Sequence, residues 1–413
     1  MQKYSKDLVL SVVPFTSQQE ESEVVIGHPP TGVFLAIPTE AFAILKRLAD
    51  GMSIGETGDW FQREYGETPD LDDFLGLLEE KGFISTTPYD ERPAGEQVSA
   101  AGATKLRYHF SSFPEPLAHL LFGSKAVVLY GMLICTSLAC IAMQPSILPR
   151  AQDLYFPDHR TLSWTIVLIV TYATLFIHEA SHLVAARSLG VNSRLGIGHR
   201  LWFLVAETDL TGLWAVPKNK RYLPLVAGML IDAVSGAFFL MVLFAHAQGW
   251  FALSVLVSRI IRAILFMYLM RIVWQCLFYI RTDLYYVIVT VWNCRNLMAD
   301  TEALLRNQVA KFLPVFKNVD QSAIPASERR IIRLYAVVWI VGRIIAVVLL
   351  FTVTVPIGLR YLQNLRGALR LGYAANADNF IDSLLLTAYF FVPLTAGTTL
   401  WIKSLLRKPK ELM

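Results

Sequence analysis

Residues 162–187 read LSWTIVLIVTYATLFIHEASHLVAAR, and this stretch decides the fold class. It is apolar over most of its length, and a helix of about 20 such residues spans the hydrocarbon core of a membrane. Within it lie three ionisable side chains, those of His178, Glu179 and His182. A charged residue at mid-membrane costs about 2.5–3.5 kcal/mol on insertion scales, so such residues are usually functional. The stretch therefore predicts a transmembrane helix that carries a functional site.

The rest of the chain has the composition of a membrane protein. Hydrophobic residues make up 54% of its 413 residues and charged residues 17%, whereas soluble domains carry about a quarter charged residues. Its long apolar runs predict an α-helical polytopic membrane protein with about six transmembrane helices. The predicted spans are 125–143, 162–187, 223–246, 263–291, 331–358 and 381–402. The fourth is ambiguous, because the apolar region 251–292 is too long for one helix and too short for two.

Basic residues predict the orientation of these helices. Lys and Arg are concentrated in the loops after the second and fourth spans and in the C-terminal tail. In multi-pass membrane proteins the cytoplasmic loops carry this excess of basic residues. We therefore expect both termini to face the cytoplasm, with the membrane domain, residues 107–413, in the lipid bilayer.

Residues 1–85 predict a small α+β domain ahead of the membrane domain. Short strands are expected at Val12–Phe15, Glu23–Ile26, Val33–Ile37 and Phe83–Ser85. Three amphipathic helices should lie before the last strand, with starts at Thr39, Ser53 and Asp70. This order of elements predicts a winged-helix-like domain. The stretch 86–106 is rich in Pro, Gly and Ala and is predicted to be a linker.

The spacing of His178 and His182 indicates a metal site. Two histidines at positions i and i+4 share one face of a helix and can bind the same ion. Glu179 lies beside them, and in such sites this glutamate takes a proton from the attacking water and passes it to the leaving amine. A polar cluster that only packs helices together is the alternative explanation. The position of the motif inside an apolar helix favours the metal site.

A tetrahedral catalytic zinc needs a third protein ligand and leaves its fourth position to water. Two aspartates lie at a comparable depth in the predicted spans, Asp283 in the fourth and Asp232 in the third. His199, Glu207 and Asp209 belong to the predicted cytoplasmic loop and reach the histidines only if that loop folds back. A solvated surface is the simpler expectation for those three. The residues alone leave the choice between the two aspartates open.

The chain resembles the site-2 protease family of membrane zinc metallopeptidases over residues 160–295. The resemblance rests on the histidine motif, on its depth, and on the later run QCLFYIRTDLYY, residues 275–286. It makes Asp283 the third ligand of a Zn²⁺ ion, beside His178 and His182. In the family a glycine follows this aspartate, and here Leu284 takes its place.

Further roles follow from the same resemblance. It implies that Glu179 is the catalytic base of a zinc-dependent peptidase. Asp232 is left as a residue that orients a metal-bound histidine or hydrogen-bonds the substrate. Gln275 has the same standing, because it lies in the run that precedes the aspartate.

The N-terminal domain resembles PqqD-like domains, the recognition elements of peptide-modifying systems. The resemblance rests on IPTEAFAIL at 37–45, LADG at 48–51, FLGLL at 74–78 and KGFI at 81–84. It implies that the leader of a precursor peptide adds as a strand to the edge of the sheet. A structural or DNA-binding winged helix is the alternative. Nucleic acid is not an expected partner, because acidic residues outnumber basic ones between 39 and 85.

Together the two resemblances imply an intramembrane zinc metalloprotease of the bacterial inner membrane. Its substrate would be a ribosomally made precursor peptide that is cleaved during natural-product maturation. Two other functions stay open at this stage. One is a non-catalytic membrane scaffold that binds the precursor or partner enzymes, which the loss of glycine at Leu284 favours. The other is regulated intramembrane proteolysis of a membrane regulator.

Overall fold

The computed structural model describes residues 4–20, 23–28, 33–85, 112–154, 160–294, 296–313, 315, 317–322 and 324–406. The predicted linker, 86–106, lies outside the described residues. The chain divides into two compact units. One comprises Met1–Glu115, Ala186–Arg194 and Asp209–Arg221, and the other comprises Pro116–Ala185, Leu195–Thr208 and Tyr222–Met413.

The first unit contains a small N-terminal α+β arrangement. Its strands are β1 (Ser11–Val12), β2 (Thr16–Glu20), β3 (Glu23–His28), β4 (Val33–Pro38) and β5 (Ile84–Ser85). Its helices are α1 (Thr39–Ala49), α2 (Ile54–Tyr65) and α3 (Leu71–Glu80). Strands β2, β3 and β4 form an antiparallel sheet in that order, and β1 pairs with β5. Apolar side chains from the strands and all three helices form one buried core.

Local sequence signals fix where these helices begin. The Ser53 side chain accepts a hydrogen bond from the Glu56 backbone, and the Glu56 carboxylate accepts one from the Ser53 backbone. This reciprocal pair satisfies N–H groups that a helix start otherwise leaves unpaired. The same backbone bond, with one from the Ser53 hydroxyl, holds the pKa of Glu56 below its usual range. Asp70 caps α3 in the simpler way, by accepting from the backbone of Asp73.

The strand predicted at Val12–Phe15 is only partly right. Strand β1 ends at Val12, and the chain forms a different strand, β2, from Thr16 onwards. The β2 sequence TSQQE is polar and has little strand propensity of its own. It is a strand because its backbone pairs with β3 from Thr16 opposite Gly27 to Glu20 opposite Glu23.

A later part of the chain completes the first unit. The turn Thr211–Ala215 contacts all three strands of the β2–β3–β4 sheet. Beyond it Arg221, with only 1% of its surface exposed, forms an ion pair with Glu20 at the end of β2. Arg221 also donates to the carbonyls of Val216 (2.7 Å) and Trp214 (3.0 Å), and it lies over the Trp214 ring. A buried charge of this kind requires both its ion pair and its hydrogen bonds.

The remaining elements are mainly long helices. They are α4 (Glu115–Phe122), α5 (Ser124–Met143), α6 (Arg160–Arg187), α7 (Lys218–Ala247), α8 (Val255–Gln275), α9 (Asp283–Trp292), α10 (Leu297–Ala310), α11 (Ala326–Leu349), α12 (Val355–Leu371) and α13 (Ala377–Leu406). Among the described residues, five helical stretches are long and apolar enough to cross a membrane. They are Glu115–Met143, Trp164–Arg187, Lys218–Ala247, Glu328–Leu371 and Ala377–Leu406.

The prediction of one continuous fourth span, 263–291, is wrong. Helix α8 ends at Gln275, a short 3-10 turn follows at Phe278–Ile280, and α9 begins at Asp283. The backbone leaves the helical conformation at Leu277, with φ −82° and ψ 66°, and Arg281 at the end of the 3-10 turn is left-handed, with φ 54°. Gln275 bridges the break, since its backbone carbonyl accepts from the Thr282 hydroxyl (2.7 Å) and its side-chain carbonyl accepts from the Asp283 N–H (2.9 Å).

The loop after α6 is not only a solvated surface. It contains a two-stranded hairpin, β6 (Arg194–Arg200) and β7 (Phe203–Asp209). The residues at its turn, Leu201 and Trp202, are buried in an apolar cluster with Tyr279 and Ile280 of the short turn before α9. The tip of the hairpin is therefore anchored next to the break that positions Asp283.

Candidate metal centre

Helix α6 and the start of α9 bring three candidate ligands together. His178 and His182 are buried on one face of α6, each with 2% of its surface exposed, and Asp283 is the first residue of α9. The Asp283 Oδ2 atom lies 3.1 Å from Nε2 of His178 and 3.3 Å from Nε2 of His182. The ligand atoms of the three residues lie within 4.8 Å of one another, and this group could hold a metal ion.

Hydrogen bonds at the far nitrogens orient both imidazole rings. Nδ1 of His178 lies 2.8 Å from Oδ2 of Asp232, and Nδ1 of His182 lies 2.7 Å from the Pro224 carbonyl oxygen. An ionised carboxylate and a carbonyl can only accept hydrogen bonds, so each Nδ1 is the donor. In the neutral imidazole this leaves the Nε2 lone pair directed at Asp283.

This arrangement has the electrostatics of a cation site. Two Nε2 lone pairs and one carboxylate oxygen converge on the same small volume, and all three are acceptors. Within the described part of the chain, the buried Nε2 of His182 has no hydrogen-bond partner. An orphaned buried acceptor is costly unless a cation or donor meets it. A metal ion held by His178, His182 and Asp283 would satisfy all three atoms at once.

Gly228 on helix α7 keeps the space beside the two Nε2 atoms open. A β-carbon at this position would overlap Nε2 of His178 and lie 2.5 Å from Nε2 of His182. Metal–nitrogen bonds in zinc sites are about 2.0–2.1 Å long. The missing side chain therefore leaves room in the region where an ion bound by both histidines would lie.

The two aspartates that the sequence left open have different positions. Asp283 contacts the Nε2 atoms of both histidines, whereas Asp232, with 1% of its surface exposed, contacts the Nδ1 atom of His178. The other Asp232 oxygen accepts from Arg271 at 2.9 Å. Gln275 acts on Asp283 through its bond to the Asp283 N–H. Asp232 and Gln275 thus hold two of the candidate ligands, His178 and Asp283, and lie outside the cluster of three.

The alternative ligands from the loop are engaged elsewhere. Nδ1 of His199 lies 3.2 Å from the carbonyl of Leu201. Glu207 and Asp209 form ion pairs with Arg200 and Arg194, each at 2.8 Å. Among the described residues, none of the three loop candidates joins the cluster of His178, His182 and Asp283.

Glu179 is held by the hairpin. Its carboxylate is largely buried, and Oε2 accepts a hydrogen bond of 2.7 Å from the hydroxyl of Thr208 on β7. The same hydroxyl lies 3.3 Å from the Glu179 carbonyl oxygen. A carboxylate beside these two histidines can move a proton to or from a group bound between them.

Three of these residues were missed in the sequence. Thr208 gave no signal, because nothing in the sequence pairs a loop threonine with Glu179. Arg271 gave a weak one, since it lies in an apolar run four residues before Gln275 and therefore on the same helix face. Gly228 is unremarkable until the imidazole rings opposite it are placed.

Comparisons with models of known protein families, with curated proteins and with solved structures give no match to this chain. The resemblances to site-2 proteases and to PqqD-like domains therefore stay predictions.

Proposed function

We propose that the chain is a zinc-dependent intramembrane peptidase. The observation that carries this proposal is the convergence of His178, His182 and Asp283, with Glu179 adjacent on the same helix. That helix is one of the five stretches long and apolar enough to cross a membrane. A metal-ligand cluster in such a helix is a feature that function explains better than stability does.

The donor set fits zinc. Two imidazole nitrogens and one carboxylate oxygen are the ligands of a three-residue catalytic site, in which a fourth position stays open. When bound, Zn²⁺ lowers the pKa of water and polarises a carbonyl group. The chain's own contribution is to fix three ligands, each supported from behind: His178 by Asp232, His182 by the Pro224 carbonyl, and Asp283 by Gln275.

Glu179 is the general base of the proposed reaction. It accepts the proton of the attacking water and delivers it to the amide nitrogen that leaves, so that one peptide bond is exchanged for an acid and an amine. The hydrogen bond from Thr208 occupies Oε2.

The proposed substrate is a ribosomally made precursor peptide, and the protein works in the bacterial inner membrane. The N-terminal sheet supports the choice of a peptide substrate, because β2 and β4 are its edge strands. An edge strand presents unpaired N–H and C=O groups to which an extended leader can add. Acidic residues in the α1–α3 region argue against nucleic acid as the partner.

The scaffold alternative drew its support from Leu284. Glycine would be required there only if the backbone were left-handed. Leu284 lies in the first turn of α9, and the described non-glycine residues with positive φ are Leu201, Arg281 and Asn293. The substitution of glycine by leucine therefore needs no unusual geometry, and we retain the enzyme as the proposal.

The test separates zinc binding from cleavage. Full-length protein is expressed with the short peptides encoded beside its gene, zinc is measured in the purified protein, and peptide products are identified by mass spectrometry. Glu179→Gln should keep its zinc and lose cleavage by at least about 100-fold, because a general base contributes about 10²–10⁴-fold. His178→Ala should lose both zinc and cleavage.

A matched control is available in the hairpin. Glu207→Gln removes a carboxylate that pairs with Arg200 outside the cluster, so it should retain zinc and cleavage. Wild-type protein without zinc would overturn the proposal. Normal cleavage by Glu179→Gln would remove Glu179 as the base, and zinc-loaded wild type that cleaves nothing would favour the scaffold.

A further inference from the structure

Helix α8 presents two polar side chains, one turn apart, to the candidate metal centre. Gln275 holds the backbone of Asp283, as described above. Arg271, four residues earlier, holds Asp232, which in turn holds His178. We propose that Arg271 is a positioning residue that fixes the metal-facing orientation of His178 through Asp232. This inference rests on the proposed zinc site.

Each oxygen of the Asp232 carboxylate accepts a hydrogen bond from a different helix. Its Oδ1 accepts from Nη1 of Arg271 at 2.9 Å, and its Oδ2 accepts from Nδ1 of His178 at 2.8 Å. The Asp232 side chain is 2% exposed and that of Arg271 is 13% exposed. A carboxylate this deeply buried needs a charged partner to remain in place. Arg271 supplies that partner without touching the three candidate ligands.

Arg271 is also tied to the helix that carries the histidines. Its Nη2 donates to the Thr174 hydroxyl at 2.7 Å, and its Nη1 donates to the Thr174 carbonyl at 3.1 Å. The Thr174 hydroxyl donates its own hydrogen to the carbonyl of Val170 at 2.8 Å, and its oxygen accepts the hydrogen bond from Arg271. Thr174 lies four residues before His178, on the same face of α6.

The guanidinium therefore connects three helices at one point. Arg271 belongs to α8, Thr174 to α6 and Asp232 to α7. Its planar fork offers several N–H donors in fixed directions, whereas a lysine ammonium is a single point of attachment on a flexible stem. The two fixed N–H directions orient the plane of the Asp232 carboxylate, and the hydrogen bond from Nδ1 to that carboxylate orients the imidazole ring of His178. Loss of the fork frees the ring that must aim Nε2 at the ion.

The test measures zinc affinity in the full-length protein. Zinc dissociation constants are obtained in detergent by competition with a chromophoric chelator. Arg271→Met should raise the dissociation constant about 10–100-fold, as expected for a residue that orients a metal ligand. Arg271→Lys keeps the positive charge and protects folding, but it should still raise the constant, because one ammonium cannot bond Asp232 and Thr174 together.

A second substitution tells positioning from general support. In an Asp232→Ala background the carboxylate through which Arg271 acts is absent, so the further change Arg271→Met should weaken zinc binding little more than Asp232→Ala does alone. Losses that add fully in the double variant overturn the action through Asp232. Arg259 lies exposed on the same helix, and Arg259→Met is the matched control with unchanged affinity.

The outcomes separate this inference from the proposed function. If the wild type binds no zinc, both are overturned. If the wild type binds zinc and both Arg271 variants bind it equally well, only the role of Arg271 is overturned.

Discussion

Gly228 has no side chain, and its position beside both imidazole rings leaves no space for one. His178, His182, Asp283, Asp232 and Gln275 contribute donors or acceptors, whereas Gly228 contributes the absence of a side chain. In a helix interior, glycine is less favourable than alanine by about 1 kcal/mol. Helix α7 therefore carries a residue that weakens it at the one place where both imidazole rings approach.

Substitution of Gly228 by alanine isolates this effect. The added methyl group should displace both rings and weaken zinc binding about 10–100-fold or more, although alanine is the better helix former. Gly236→Ala on the same helix is the control, since its β-carbon would meet only Cδ2 of Leu265 at 3.9 Å. Zinc titration of the two variants checks the prediction. Equal affinity in both would show that the space beside Gly228 is not where the ion binds.

At the level of single residues, the sequence indicates the clustered residues His178, His182 and Asp283 better than the side chains that hold them. His178 and His182 are separated by one helical turn, so their proximity follows from local geometry. The contacts of Arg271 with Asp232 and of Thr208 with Glu179 join residues 39 and 29 positions apart. Such contacts depend on tertiary packing, which no local pattern specifies.

The β6–β7 hairpin contacts both the segment that positions Asp283, the proposed third ligand, and Glu179, the proposed general base. Its turn is packed against Tyr279 and Ile280, and its second strand places Thr208 on Glu179. An element anchored in this way can hold the base in one orientation while the break after α8 holds Asp283.

The hydrogen bond from Thr208 should therefore affect turnover and leave metal binding unchanged. Thr208→Val keeps the shape of the side chain and removes the donor. A hydrogen bond to a charged group contributes about 1.5–3 kcal/mol, so cleavage should slow at least about 10-fold. Thr208→Ser restores the hydroxyl and should restore the rate. Zinc content and cleavage are measured on the same samples, and loss of zinc in Thr208→Val would contradict this role.

Sequence patterns predict uninterrupted elements and miss interruptions. The long helices follow from length and apolar composition, and the starts of α2 and α3 follow from Ser53 and Asp70. The break between α8 and α9 does not, because residues 276–282 contain neither glycine nor proline. The left-handed residue there is Arg281, and the bonds to Gln275 that cross the break come from residues seven and eight positions away.

On the scale of the whole molecule, the distribution of basic residues makes a topological prediction. Asp59 and Asn219 lie exposed in the first unit, and Gln248 lies exposed beyond the end of α7. In a cysteine-free background, single cysteines at 59 and 219 should react with an impermeant maleimide only after cells are lysed. A cysteine at 248 should react in intact cells. Labelling of 59 or 219 in intact cells would reverse the orientation.

The buried pair of Glu20 and Arg221 also has a consequence for the order in which the protein is made. The two residues are 201 positions apart, and at about 5–20 residues per second a ribosome needs roughly 10–40 s to synthesise the chain between them. Through that interval the ion pair between Glu20, at the end of β2, and Arg221 cannot form. The buried contacts at the end of β2 are therefore completed only after α6 and the β6–β7 hairpin have been synthesised. Deletion of the chain's beginning would remove Glu20 and take this ion pair from the buried Arg221 at the start of α7. Each of the two segments therefore needs the other to form its native buried contacts.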